Sequence, residues 1–400
     1  MVRIKHIIVS TLIGGFLWAS WNMYGYFFEN KPPQITVETL CEKRWYKGDV
    51  ACTIRGEHPY KVSAVSVYLD DQPLITNQPI NKQSFAQDFT LPTATFDDGQ
   101  HTLKVVVTSA NKDSVESIEQ IRFFVDNEPL QIGFVRSEDS FKIMPGRTFH
   151  MQIHTNKHAD RVQAKLGNKV YDCFPEEEGS TLYECFIPFS CETKVGDYPF
   201  MVMVTDAVGN YVTLASSLYI IPCNFKKQKL TIEAPVFEKE KELGKSQREL
   251  EIRMKELTKK SPAKKMWHRL FEIPVELTGI STDFGTKRTS QEKGKYQHAA
   301  LDLLSAPRSV VWAPNDGLIV IKDRYEQTGN TIVIDHGYGL LSLLCHLDSF
   351  ADIAVGDFIR KGNPIGKLGK TGYASGYHLH WEMRLGNVLV DPAQWTQNNF

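Results

Sequence analysis

A long-period repeat constrains this chain more than any other feature. Gly99-Gln-His-Thr-Leu-Lys-Val-Val-Val-Thr-Ser-Ala110 aligns with Gly196-Asp-Tyr-Pro-Phe-Met-Val-Met-Val-Thr-Asp-Ala207 at a constant offset of 97 residues. Leu103, Val105 and Val107 fall on Phe200, Val202 and Val204, and Ile121 and Phe123 fall on Leu218 and Ile220. Apolar residues at alternate positions mark strands with one buried face, because successive side chains leave a strand on opposite sides. A unit of roughly 100 residues with short alternating strands suits an immunoglobulin-like sandwich. Residues 34–127 and 128–223 are therefore expected to form two β-sandwich domains.

Before the repeat, Met1-Val-Arg-Ile-Lys-His precedes an uncharged run of 22 residues from Ile7 to Phe28. A helix of that length would span about 33 Å, enough for a bilayer core. Arg3 and Lys5 lie on its near side, which keeps the N-terminus in the cytoplasm. Trp18, Trp21, Tyr24 and Tyr26 crowd its far end, where amphipathic rings suit the lipid boundary. The expectation is an uncleaved transmembrane anchor over residues 1–33 that exports the rest of the chain; a cleaved signal peptide is the alternative. With a formal net charge of −1, the chain offers no electrostatic footprint for nucleic acid.

Seven cysteines are present, six of them between residues 41 and 223. Cys41 with Cys52, Cys173 with Cys185, and Cys191 with Cys223 are candidate bridges in an oxidising compartment; buried thiols are the alternative, and Cys345 is left over. From 224 to 266 the chain becomes charge-dense. Val236, Leu243, Leu250 and Leu257 recur at sevens, which predicts a helical linker with a narrow apolar stripe. It is expected to pack on its own protein rather than form a coiled coil, since Gly244 interrupts the heptads. From Trp267 to the end the sequence is again glycine-rich and β-like.

Histidines carry the chemistry of this last segment. His298-Ala-Ala-Leu-Asp302 sets two ligand-type residues at an even spacing, which in an extended chain shares a face. His378-Leu-His380 places two imidazoles on one side of a strand. His346 stands between them in Leu343-Leu-Cys-His-Leu. Two histidines and one carboxylate are a common catalytic zinc set with one open position, and a second histidine pair can move protons.

The segment 267–396 resembles the lysostaphin/LytM-type zinc endopeptidases. The resemblance rests on Ser281-Thr-Asp-Phe-Gly-Thr-Lys-Arg288, His298 with Asp302, Ala313-Pro-Asn-Asp-Gly317 and Asn330-Thr-Ile-Val-Ile-Asp-His-Gly337. It continues through Lys361-Gly-Asn-Pro-Ile-Gly366, Gly369-Lys-Thr-Gly372, His378-Leu-His380 and Asp391-Pro392. It implies that His298, Asp302 and His380 hold Zn2+, that His346 and His378 are catalytic, and that the substrate is the peptide of bacterial peptidoglycan. Two positions depart from the family pattern: Ala300 replaces a glycine, and Leu344 stands where a tyrosine is common. His336 is not a family ligand and is expected to be structural.

The expected molecule is thus mainly β. It has a membrane helix, two sandwiches, a helical linker over 224–266 and a β-rich metallopeptidase domain over 267–400. It is expected in the bacterial envelope, held by the inner membrane with its C-terminal part in the periplasm. A regulatory partner is expected at the sandwiches or the linker helix.

Overall fold

A computed structural model describes residues 2–229, 244–290, 294–398 and 400, with residues 2–12, 290 and 294 described by backbone alone. The chain is mainly β and divides into two compact units, residues 1–129 with 207–210, and residues 130–206 with 211–400.

In the first unit, the 20-residue strands Val50–Leu69 and Gln72–Leu91 pair antiparallel. Gly99–Ser109 lies between Val50–Leu69 and Glu116–Val125. Its repeat positions Leu103, Val105, Val107 and Phe123 are fully buried. The uncharged N-terminal run lies within a helix, Val2–Phe28. Among the described residues, however, no helix is long and apolar enough to cross a membrane, so the expected span is not supported.

The second repeat copy shows the same burial at Phe200, Val202, Val204, Leu218 and Ile220. Gly99 pairs with Val125, but Gly196 pairs with Ile220. Relative to the sequence offset, the second hairpin has slipped by two residues. An even slip keeps each side chain on its own face, so the apolar pattern survives it.

All seven cysteines are free, so none of the candidate bridges is formed. Cys41 is exposed while Cys52 lies in the core. Cys173 and Cys185 do lie on neighbouring, paired strands.

The linker is not helical throughout. It contains a short strand, Lys227–Lys229, and a helix, Gln247–Lys260; Val236 and Leu243 lie outside the described residues. Ser246 caps the helix by accepting a hydrogen bond from the Glu249 amide, as a Ser-x-x-Glu start favours. Leu250 and Met254 are fully buried against Ile321, Tyr325, Val333, Leu341 and Leu343. Each such side chain contributes about 1.5–3 kcal/mol of apolar burial. Arg384 donates two hydrogen bonds to Glu251, at 2.8 and 2.7 Å. Leu250 and Met254 of the apolar stripe are therefore spent on the protein's own sheet.

That sheet runs through Gly279–Thr282, Leu301–Leu304, Leu379–Leu385, Leu340–Phe350, Gly329–Asp335 and Gly317–Tyr325, all antiparallel neighbours. A separate three-stranded sheet joins Lys227–Lys229, Thr286–Ser290 and Gly294–His298. The peptidase segment is not closed off from the preceding eight-stranded sheet. Phe186, from the strand Leu182–Pro188 of that sheet, packs in one core with Trp267, Trp395 and Phe400. The Gln394 side-chain amide accepts from the Thr148 amide at 2.7 Å and donates to its carbonyl at 2.8 Å.

Candidate metal centre

Asp302 sits within Leu301–Leu304 directly opposite His380 of Leu379–Leu385. His298 arrives differently. It ends Gly294–His298 in the small sheet, and the chain crosses at Ala299-Ala300 to enter the large one. A single continuous strand would hold residues four apart at about 13 Å. The expected shared face is therefore replaced by a turn between two sheets, which brings His298 Nε2 to 3.1 Å from Asp302 Oδ1. Ala300 is fully buried in this turn, so the extra methyl is accommodated inside.

Three donor atoms converge: His298 Nε2, Asp302 Oδ1 and His380 Nδ1, with His380 Nδ1 at 2.9 Å from the carboxylate and 3.2 Å from His298 Nε2. His298, Asp302 and His380 offer ligand atoms that all lie within 4.8 Å of one another. Donors about 2.0–2.1 Å from a tetrahedral zinc would be separated by about 3.3 Å. The residues present thus fit a zinc ion in donor type, number and spacing.

His346 reaches the centre through a bulge. Asn330 pairs with Leu347 and Ile332 with Leu344, so Cys345 and His346 together face Thr331 alone. His346 takes the left-handed conformation, φ 61°, which is uncommon away from glycine and is found at sites held by their surroundings. Its amide donates to the Thr328 carbonyl at 2.8 Å, which fixes the bulge. His346 Nδ1 lies 2.7 Å from the Thr371 carbonyl, and His378 Nδ1 lies 3.0 Å from the Gly376 carbonyl. A carbonyl only accepts, so each Nδ1 carries the proton and each Nε2 is left as an acceptor. The two rings lie 4.7 Å apart, and His378 Nε2 is 3.8 Å from Asp302 Oδ1.

Burial dominates the electrostatics. It lowers the His298 pKa to about 4, and burial with the neighbouring His378 and His380 holds His346 well below 6.5. Burial also lowers His378, against the pull of Asp302. Burial alone would raise the Asp302 carboxyl, but hydrogen bonds from His298 and His380 overcome it and hold the group far below the usual range. Asp302 is thus held as a carboxylate, and His298, His346 and His378 are biased towards their neutral forms, the direction that metal binding favours.

All five residues singled out from the sequence meet here. His336 does not: it is fully buried, with its ring nitrogens at 2.6 Å from the Asp316 carbonyl and 2.9 Å from the Ser342 hydroxyl. Sequence reasoning missed Arg288, whose Nη2 donates to Asp302 Oδ2 at 2.7 Å, and Thr371 and Gly376, which orient the histidines by their carbonyls. Arg288 lay within a quoted motif but carried no role, and backbone carbonyls leave no mark in a sequence.

Residues 296–392 match the model of peptidase family M23. The DD-carboxypeptidase/endopeptidase Mpg of Neisseria meningitidis is 34% identical over 120 residues, 30% of this chain and 27% of that protein. The peptidoglycan DD-endopeptidase ShyC of Vibrio cholerae is 29% identical over 121 residues, 30% of this chain and 28% of that protein. The matches thus span about a quarter of these relatives' length. A crystal structure of a Pseudomonas aeruginosa peptidase M23 covers 63% of this chain and 94% of its own, at 22% identity and a TM-score of 0.46. Residues 296–392 are thus similar to peptidase family M23.

Proposed function

We propose that this protein is a zinc-dependent endopeptidase that hydrolyses peptide stems or cross-links of bacterial peptidoglycan. The convergence of His298 Nε2, Asp302 Oδ1 and His380 Nδ1 carries the reading. These three atoms would hold Zn2+, and a metal there would polarise the scissile carbonyl and acidify a water. Neutral His346 and His378 each offer an Nε2 acceptor beside the centre. One takes a proton from the attacking water; an imidazole so protonated becomes a donor to the developing oxyanion or the leaving amine. Relatives named as peptidoglycan DD-endopeptidases support the substrate class.

The proposal includes an extracytoplasmic location, with residues 7–28 as the membrane anchor. It rests on the length of the uncharged run and on the exposure of Phe16, Leu17, Trp18 and Trp21 along the helix. The two repeats are read as immunoglobulin-like sandwiches on their period and burial, with a regulatory partner at these domains or at the linker helix as the extension of that reading.

The experiment is zinc analysis of the purified protein, with mass spectrometry of fragments released from isolated peptidoglycan. Wild type should hold one zinc and release peptide fragments, and His380→Ala should lose both. A metal-free wild type, or equal release by the variant, would overturn the assignment. Protease accessibility in spheroplasts tests the location.

A further inference from the structure

The two oxygens of Asp302 have different partners. Oδ1 faces His298 and His380, at 3.1 and 2.9 Å. Oδ2 accepts from Arg288 Nη2 at 2.7 Å, and both side chains are nearly buried, at 10% and 5% exposed. The same Nη2 lies 2.6 Å from the hydroxyl of Thr282, the strand neighbour of Asp302. The guanidinium is held on a second side as well, since Arg288 Nε donates to Gln228 Oε1 at 2.9 Å. Gln228 sits 60 residues upstream, directly opposite Arg288 where Lys227–Lys229 pairs in parallel with Thr286–Ser290.

A planar guanidinium fixes direction as well as charge. By occupying Oδ2 it commits the carboxylate to a single rotamer with only Oδ1 facing the histidines. A lysine ammonium has no fork with which to reach Asp302 and Gln228 together. Arg288 and Gln228 both lie outside the family-matched residues 296–392.

We propose that Arg288 is a positioning residue of the metal centre, fixing Asp302 as a one-oxygen ligand, and that Gln228, from the chain before the peptidase segment, holds Arg288 in place. The inference rests on the reading of His298, Asp302 and His380 as metal-holding. Groups that orient ligands in this way typically contribute 10–100-fold to metal affinity.

The test uses the full chain, with zinc affinity measured by competition with a chromogenic chelator and the visible spectrum of the cobalt-substituted protein. Arg288→Met should weaken zinc binding about 10–100-fold and shift the cobalt bands, and Arg288→Lys should recover part of both. Gln228→Ala should weaken zinc by a smaller factor while metal-free thermal melting stays at the wild-type value. Should Arg288→Met fail to fold, Gln228→Ala decides, because it keeps both members of the buried ion pair and removes only the hold on Arg288 Nε. Wild-type affinity and cobalt bands in that variant would overturn the proposal. A wild type that binds no zinc overturns the metal reading and this inference with it; a wild type that binds zinc no more tightly than its variants overturns this inference alone.

Discussion

His346 owes its position to one extra residue in a strand and to a backbone conformation that few side chains favour. The Thr371 carbonyl then chooses its tautomer. A residue placed so deliberately, yet not among the converging metal donors, is suited to proton transfer. His346→Ala should lower kcat about 10²–10⁴-fold with zinc content unchanged; loss of zinc in this variant would assign it to the ligand set instead. His336 offers a contrast. Burial lowers its pKa to about 4, whereas in the unfolded chain it titrates near 6.5. Between those values the unfolded state binds the extra proton. Its contribution is therefore complete above pH 6.5 and is lost as pH falls towards about 4. At about 1.4 kcal/mol per pKa unit, the full window is worth on the order of 3 kcal/mol. Melting temperatures at pH 7 and pH 4.5 should differ less in His336→Gln than in wild type; an equal gap would rule this out. At this scale the sequence was informative about which residues matter. The His-x-His pair was legible from its spacing, and His298 with Asp302 from residue type, since their expected shared strand face gave way to a turn between two sheets. The bulge under His346 was not, because it depends on the register of a neighbouring strand.

The linker helix illustrates the next scale. Its start was readable from Ser246 and Glu249, and its apolar face from Leu250. Its docking surface was not, since Ile321, Val333, Leu341 and Leu343 come from three strands far along the chain. Met254→Ala should destabilise the second unit by about 2–5 kcal/mol, measured by urea unfolding. Ser246→Ala should cost about 1 kcal/mol. Loss of the cap alone should leave peptidoglycan hydrolysis at 25 °C unchanged, because the helix packs behind the sheet through Arg384 and Met254 and supplies none of the five centre residues.

At the scale of the molecule, the repeat period revealed two β-rich stretches of similar length, and the histidines located the chemistry. What the sequence hid was the joint between the second stretch and the peptidase segment. Phe186 lies on the opposite face of its strand from Tyr183, Cys185 and Ile187, which enter the preceding core, and it packs with Trp267, Trp395 and Phe400. An apolar side chain looks the same in either core, so pattern alone could not separate them. Phe186→Ala should cost about 3–5 kcal/mol and lower a single melting transition that includes the peptidase segment. Two transitions, with only the earlier one moved, would show that the cores unfold independently.

The same joint bears on how the chain is made. Synthesis delivers Phe174 and Phe186 well before their partners: Phe174 stacks on Tyr338 with ring centroids 3.8 Å apart, and Phe186 waits for Trp395 and Phe400. Until residues 338–400 emerge, the half-built unit must present these aromatic rings to its surroundings, where such surfaces invite aggregation. A chain stalled before residue 338 would leave Phe174 and Phe186 uncovered and the metal centre without His346, His378 and His380.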